Sequence, residues 1–144
     1  MENEELEIRR FPVYFVIDCS TSISDTQIIA LKEGVNMLIN DLKREPWAIE
    51  MVWISIITYS NTVEQIIPLT EITKLLEINL VASGSTSLDM AFKFLSDCID
   101  KDVRKRTSEH RGDNKPVVFL LTNGLSVSNI SKLDYYKDLL NSKI

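Results

Sequence analysis

The sequence predicts an α/β fold with a doubly wound, mainly parallel sheet, one antiparallel edge strand and helices on both faces. Two observations support this prediction. Apolar runs of strand length alternate along the chain with amphipathic segments of helical length. The first and last of these runs are apolar throughout, which is typical of parallel strands buried on both faces. Such a sheet places ligand sites at the carboxyl ends of its strands.

The first strand is predicted at Phe11 to Ile17 and ends at Asp18. A helix of about five turns is then predicted, because apolar residues recur at helical spacing. Ser24 or Asp25 is its expected N-cap, and Pro46 is its expected stop. The apolar positions of this helix are Ile28, Leu31, Val35, Leu38 and Leu42.

A β-hairpin is predicted next. Ile49 to Tyr59 is rich in β-branched and aromatic residues, and Asn61 with Thr62 indicates a turn into a strand at Val63 to Ile67. A short helix around Thr70 to Glu77 is expected to follow. The antiparallel partner of this hairpin would form one edge of the sheet.

The last third of the chain predicts one more helix and one more buried strand. A small, polar loop at Ala82 to Ser87 precedes the helix, and the strand follows at Val117 to Leu121. The helix is expected to turn one apolar face to the sheet: Leu88, Ala91, Phe92, Leu95 and Ile99. The chain ends in a weak helical pattern: Leu133, Tyr136, Leu139 and Leu140.

The composition fits a soluble single domain. The chain has 144 residues, of which 44% are hydrophobic and 26% charged. A formal charge of -5 argues against a nucleic-acid surface, which needs clustered Lys and Arg. Residues 1–10 form an acidic tail with four Glu and no apolar segment, and no later run is long enough to span a bilayer. We therefore predict one cytoplasmic domain at residues 11–144.

Few residues of this chain suit redox or histidine chemistry. Cys19 and Cys98 are too few for a disulfide framework and are expected to be buried, reduced thiols. His110 is the single histidine and lies in a polar stretch with no apolar periodicity, which disfavours histidine-dependent catalysis. The tripeptide Arg111 to Asp113 is expected to be an ordinary loop sequence.

Oxygen-bearing side chains follow the predicted strands at one edge of the sheet. Asp18, Ser20 and Ser22 follow the first strand, Thr86 lies in the small loop, and Asn123 follows the last strand. Hard oxygen donors of this kind suit Mg²⁺ or Mn²⁺. On the residues alone, helix capping explains the hydroxyls equally well. An Asn-Gly pair at position 123 is also typical of a tight hairpin turn.

Three ordered motifs favour the metal-site interpretation. VIDCSTS, ASGSTSLDMAF and VVFLLTNG together resemble the von Willebrand factor A domain and its metal-ion-dependent adhesion site. The stretches PVYFVIDCSTS, EPWAIEMVWISIITYSNTVEQIIPLTEI and KPVVFLLTNG are further similar to the bacterial tellurite-resistance type of this domain. The resemblance covers roughly Arg10 to Leu125.

The resemblance implies a role for each matched residue. Ser20 and Ser22 would coordinate Mg²⁺ or Mn²⁺ directly, Asp18 directly or through water, and Thr86 from its loop. Asn123 occupies the place of the family's second aspartate. In the family the remaining cation position takes a carboxylate from a partner protein. The expected function is therefore a non-enzymatic protein-interaction module, in a bacterial stress, tellurite-resistance or defence setting.

The chain departs from the family pattern at two site positions and at its end. Thr21 stands where Gly is usual, and Asn123 removes a negative charge beside the cation, which predicts weaker metal binding. The family's sheet continues past the strand at Val117 to Leu121, whereas this sequence offers at most one more helix. A shortened domain would leave that strand as an apolar edge, which predicts self-association or the addition of a partner strand.

Two other interpretations remain open. A strand ending in Asp18 with a later strand ending in Thr-Asn is also similar to the haloacid-dehalogenase phosphatases, in which the Asp is the nucleophile. Those enzymes usually carry a second Asp where this chain has Ser20, and they need a downstream Lys and acid pair. The alternative to both functions is a degenerate scaffold without metal, in which the hydroxyls only cap helices.

Overall fold

The computed structural model describes residues 8–20, 25–84, 88–122, 138, 139 and 141–144. Within these ranges, four strands form one mixed sheet in the order β3-β2-β1-β4. The strands are β1 at Phe11–Asp18, β2 at Val52–Tyr59, β3 at Val63–Glu71 and β4 at Val117–Leu121. The helices are α1 at Asp25–Leu42, α2 at Pro46–Met51 and α3 at Leu88–Asp102, with a 3₁₀ turn at Ile72–Lys74. β1 pairs in parallel with β2 and β4, and β2 pairs antiparallel with β3, which confirms the predicted fold class.

The central strand β1 is buried on both faces and divides the core into two layers. Because side chains alternate along a strand, Phe15 and Ile17 point to one layer, whereas Tyr14 and Val16 point to the other. The first layer contains α1 and α2, which contribute Ile28, Val35, Ile39 and Ala48. The second contains α3, which contributes Ala91, Leu95, Cys98 and Ile99. The helices therefore cover both faces of the sheet.

The prediction that Pro46 only ends the first helix is wrong, because Pro46 also begins α2. A proline fits the first turn of a helix, where its missing N–H needs no partner. Residues 49–51 are consequently helical, and the strand predicted from Ile49 begins at Val52. The buried Ala48 anchors this short helix to the core between α1 and β2.

The short helical piece predicted around Thr70 to Glu77 is confirmed only at Ile72–Lys74. β3 continues past Pro68 to Glu71, and only Ile72–Lys74 form a helical turn. The register between β2 and β3 shifts next to this proline, between the pairs Ile54↔Thr70 and Ile56↔Ile67. An edge strand with such an irregularity tolerates a residue that has no N–H to donate.

The predicted apolar stripe of α1 and the predicted burial of β4 need correction. Ile28 and Val35 are buried as expected, but Ile39 takes the place of Leu38, which is 38% exposed. In β4, Val117 is 37% and Phe119 42% exposed, although Phe119 stacks on Phe15 with ring centroids 5.3 Å apart. β4 is the end of the sheet that the described residues form, as predicted for an edge.

A buried ion pair ties the chain before β1 to the loop after α3. The Arg10 guanidinium donates to both oxygens of Asp113, at 2.9 and 2.6 Å, and to the Asp102 carbonyl at 2.8 Å. The Arg104 N–H also donates to Asp113, at 2.8 Å. The side chains of the pair are only 10% and 2% exposed, and Arg10 lies 4.7 Å from the centre of the Trp53 ring. The aspartate of the Arg-Gly-Asp tripeptide is thus occupied within the fold.

Candidate metal site

Three polar residues lie side by side at the carboxyl ends of neighbouring strands. Asp18 is the register partner of Tyr59 at the end of β2. Ile17 pairs with Leu121 in β4, so Thr122 follows at the level of Asp18 on the other side. By strand alternation, Asp18 and Tyr59 both point to the α3 face of the sheet. The sheet thereby forms a row of a hydroxyl, a carboxylate and a second hydroxyl.

The Asp18 carboxylate has an uncompensated oxygen. Asp18 is 1% exposed, and its Oδ1 accepts a hydrogen bond of 2.9 Å from the Ser20 N–H, which bends the loop back over the strand end. Its Oδ2 is buried and has no hydrogen-bond partner among the described residues. No ion pair to Asp18 occurs in the described part of the chain either. A buried carboxylate oxygen without a partner is costly, and a bound cation would compensate it. The donor chemistry here therefore fits a hard divalent cation.

The loops around this carboxylate are hydrogen-bonded to one another. The Cys19 N–H donates to the Tyr59 carbonyl, and the Ser83 N–H donates to the Cys19 carbonyl, both at 2.9 Å. The Ser83 hydroxyl lies 3.1 Å from the Ser60 hydroxyl. The ends of β1 and β2 and the segment before α3 are thus joined at the site.

Gly84 is needed where the segment before α3 meets the β2–β3 turn. Its φ is +48°, and a Cβ at this position would overlap the Asn61 side-chain amide. A residue with a side chain would be strained here and would also displace Asn61. The path of the chain at Gly84 depends on this close approach to Asn61.

Burial keeps the two titratable neighbours of Asp18 protonated at neutral pH. Desolvation, reinforced by the Asp18 charge, raises the pKa of the Cys19 thiol to about 11. Desolvation also raises the pKa of Tyr59 to about 12, while the neighbouring Thr122 side chain opposes the rise and the Asp18 charge adds to it. In the absence of a metal ion, Cys19 is therefore a protonated thiol at neutral pH. It is also free and buried, as is Cys98, which confirms the prediction for both cysteines.

The structure places two of the five predicted ligands. Asp18 and Ser20 lie together at the end of β1, and Ser20 is also buried. Ser22, Thr86 and Asn123 lie outside the described residues, and their part in a metal site stays a prediction. Within the described ranges, no group of three or more His, Cys, Asp or Glu could hold a metal ion. The predicted site needs no such group, because it contains a single carboxylate.

Sequence reasoning missed Tyr59. Its ring lies in an apolar strand and is typical of a core residue, and only the pairing of β2 with β1 brings Tyr59 next to Asp18. The available signal was its position at the very end of the strand, where the polar residues of the other strands also lie.

The sheet is mixed, with one antiparallel edge and helices on both faces, and an Asp-x-Ser loop follows its central strand. This arrangement is that of the von Willebrand factor type A fold. The model of the von Willebrand factor type A domain matches residues 13–140. The chain therefore belongs to the von Willebrand factor type A family. No curated protein matches it.

Solved structures with this fold are similar to the chain at low sequence identity. A von Willebrand factor type A protein from Catenulispora acidiphila has a TM-score of 0.68 at 14% identity, over 94% of this chain and 32% of its own. Mussel byssus proximal thread matrix protein 1, "with zinc occupied MIDAS motif", has a TM-score of 0.61 at 17% identity, over 94% and 36%. The corresponding domain of the pilus tip protein Mfa5 from Porphyromonas gingivalis has a TM-score of 0.55 at 18% identity, over 83% and 40%. The chain thus spans about a third of the length of these proteins, and the likeness shows the fold alone.

Among the described residues, no helix is both long enough and apolar enough to cross a membrane.

Proposed function

We propose that this chain is a non-enzymatic protein-interaction module with a metal-ion-dependent adhesion-type site. Asp18, Ser20, Ser22, Thr86 and Asn123 would hold Mg²⁺ or Mn²⁺, and the cation would accept a carboxylate from a partner protein. The domain would comprise residues 11–144, preceded by the acidic segment 1–10. Its setting would be the cytoplasm of a bacterium, in a stress, tellurite-resistance or defence system, on the resemblance of its sequence to that type of domain.

The buried, unpartnered Oδ2 of Asp18 is the observation that supports this proposal most directly. A strand end with only a structural role would not need a carboxylate here, because an apolar or amide side chain avoids the cost of burying a charge. The family membership adds that a site of this type has a precedent in the fold, since one structural neighbour is described with zinc in its MIDAS motif.

The ligand set also indicates the chemistry of the partner. Asp18 is the only anionic member, because position 123 is an amide. A divalent cation with one anionic ligand retains net positive charge and so favours an acidic group on its open side. The same loss of charge lowers the affinity of the protein for the cation.

Calorimetric titration with Mg²⁺ and with Mn²⁺ tests the proposal. The wild type is compared with Asp18→Ala, with Asn123→Asp, and with Asp41→Ala as a control that removes an exposed acid from α1. We expect binding by the wild type and the control, none by Asp18→Ala, and tighter binding by Asn123→Asp. Binding only by Asn123→Asp would identify a degenerate scaffold whose metal site has been lost.

Absence of enzymatic activity is tested separately. A phosphatase that used Asp18 as nucleophile would release phosphate from generic phosphomonoesters, and Asp18→Ala would abolish the release. We expect no release by either protein. Such an enzyme would need a downstream lysine, Lys132 or Lys137, and a downstream acid, Asp134 or Asp138. Of these four residues only Asp138 is among the described residues, where it is exposed.

We further propose that the β4 edge takes a partner strand or pairs with a second copy of the chain. Val117 and Phe119 are exposed for apolar residues of a strand, and a groove of about 560 Å³ lies between β4 and α1, lined in part by Ala30, Gly34 and Leu38. Exposed apolar edges of this kind recruit strands. Light scattering over a wide concentration range tests self-association, with Phe119→Ser expected to shift the protein towards monomer. A wild type that is monomeric at all concentrations would exclude the second copy.

A further inference from the structure

Two buried polar atoms at the ends of adjacent strands have no hydrogen-bond partner among the described residues. One is Asp18 Oδ2, and the other is the Tyr59 hydroxyl oxygen. The two residues are register partners and are 1% and 3% exposed. Thr122 lies close enough to Tyr59 to affect its pKa, but no hydrogen bond of good geometry to the Tyr59 hydroxyl forms among the described residues. Two such atoms rarely share a site in a native protein unless something bridges them.

A purely structural role explains the Tyr59 ring but not its hydroxyl. The ring packs with the α3 layer, where it contacts the same cluster as Val16, Ile57 and Ala91. A phenylalanine would fill this space equally well and would avoid burying an O–H group without a partner. The hydroxyl therefore needs a second explanation.

Tyr14 provides the contrast within the same layer of the core. It lies in the middle of β1, and its hydroxyl donates a hydrogen bond of 3.1 Å to Asp102 Oδ2 at the end of α3. Gln65 completes that cluster with a bond of 2.9 Å to the same oxygen. The buried Tyr14 hydroxyl thus has a hydrogen-bond partner. The buried Tyr59 hydroxyl, beside Asp18, has none among the described residues.

We propose that Tyr59 is a further positioning residue of the cation site, whose hydroxyl hydrogen-bonds to a water held by the cation that Asp18 binds. This inference rests on the proposed function. Asp18 Oδ2 and the Tyr59 hydroxyl would both be satisfied when the hydrated cation enters. The hydroxyl would bond to the water and not to the cation itself, because a phenol oxygen is a weaker ligand for Mg²⁺ than the carboxylate, carbonyl and water oxygens that this ion prefers.

The test compares Tyr59→Phe with Tyr14→Phe in the full chain, using Mg²⁺ as the probe. Both variants remove one buried hydroxyl from the same core layer and keep the ring, but only Tyr59 lies at the site. We expect Tyr59→Phe to weaken Mg²⁺ binding in calorimetry about five- to tenfold, the effect of losing one hydrogen bond of roughly 1 kcal/mol. Tyr14→Phe should bind Mg²⁺ as tightly as the wild type.

A spectroscopic readout distinguishes positioning from a general effect on the fold. Mg²⁺ is colourless, so any near-ultraviolet difference spectrum that it induces reports on the aromatic side chains of the protein. We expect a tyrosine difference band in the wild type and in Tyr14→Phe, and its loss in Tyr59→Phe. This measurement on the wild type and on Tyr14→Phe remains informative even if Tyr59→Phe folds poorly.

The outcomes separate the inference from the proposed function. If the wild type binds Mg²⁺ and Tyr59→Phe binds it equally well with the same difference band, the inference is wrong and the metal site stands. If the wild type shows no tyrosine band although it binds, the inference is also wrong. If the wild type binds neither Mg²⁺ nor Mn²⁺, the proposed function fails and the inference fails with it.

Discussion

Replacing Asp113 with asparagine should destabilise the protein strongly, although the residue lies far from the candidate site. Asp113 accepts two hydrogen bonds from the Arg10 guanidinium and one from the Arg104 N–H. The Asp113→Asn variant keeps the volume of the side chain but leaves the guanidinium without its counter-charge, in surroundings where the pair is 10% and 2% exposed. Breaking a buried ion pair from one side costs about 3 to 5 kcal/mol.

This loss is a large share of the stability of a typical domain, which is about 5 to 15 kcal/mol. Urea unfolding followed by tryptophan fluorescence is a suitable assay, because Trp53 lies directly beneath Arg10. The midpoint of thermal unfolding should fall by roughly 10 °C, at about 2 to 4 °C for each kcal/mol in a chain of this size.

Asp97→Asn is the matched control. Asp97 forms an ion pair of 3.2 Å with Lys93 on α3, and the two side chains are 65% and 54% exposed. Exposed pairs contribute about 0 to 1 kcal/mol, so this variant should unfold almost like the wild type. A loss below about 1 kcal/mol for Asp113→Asn, or equal losses for both variants, would refute the reasoning that burial of the Arg10 pair makes it indispensable.

Three further predictions concern stability. Gly112→Ala should destabilise the protein strongly in chemical unfolding, because Gly112 has φ +77° and a backbone nitrogen lies 2.6 Å from the position that a Cβ would take. Gly34→Ala should stabilise it by about 0.5 to 1 kcal/mol, because Gly34 lies within α1 beside open space. Equal effects of the two substitutions would contradict this reasoning. Desolvation raises the pKa of Cys19 and of Cys98 from 9.0 to about 11. The folding stability that depends on keeping these thiols protonated is therefore complete below pH 9 and is lost as the pH rises towards 11. At pH 10 about 1.4 kcal/mol per thiol should be lost relative to pH 7, and replacing both thiols with alanine should flatten this decline in pH-dependent urea unfolding. Tyr14→Phe should cost about 1.5 to 3 kcal/mol, because its hydroxyl bonds to a carboxylate, and unchanged urea unfolding would show that this bond contributes nothing.

The sequence predicted those elements whose local pattern has only one structural explanation. β1 is apolar on both faces and α1 has a clear helical period, so both were expected within a residue or two of their bounds. Two of the four prolines show where local reasoning fails. Pro46 begins a helix and Pro68 lies within an edge strand, and only the tertiary surroundings decide which role a proline takes.

The candidate site was predictable where it depends on a motif and unpredictable where it depends on pairing. Asp18 and Ser20 follow one another in the chain, so the strand-then-loop pattern was enough to indicate them. Tyr59 joins them only because β2 lies beside β1 in one particular register, and a shift by one residue would point its hydroxyl to the opposite face. The Arg10 and Asp113 pair, at a separation of 103 residues, left no signal in either local sequence.

The position of β1 in the sheet has a consequence for biosynthesis. Its neighbour β4 follows on the order of 100 residues later in the chain, as the pair Val13↔Val117 shows. At a synthesis rate of about 5 to 20 residues per second, β4 emerges roughly 5 to 20 s after β1. The hairpin of β2 and β3 can form early, since it is local, but one side of β1, the most buried strand of the sheet, stays unpaired throughout this interval. The nascent chain is therefore a natural client for a chaperone that shields β1 until β4 arrives.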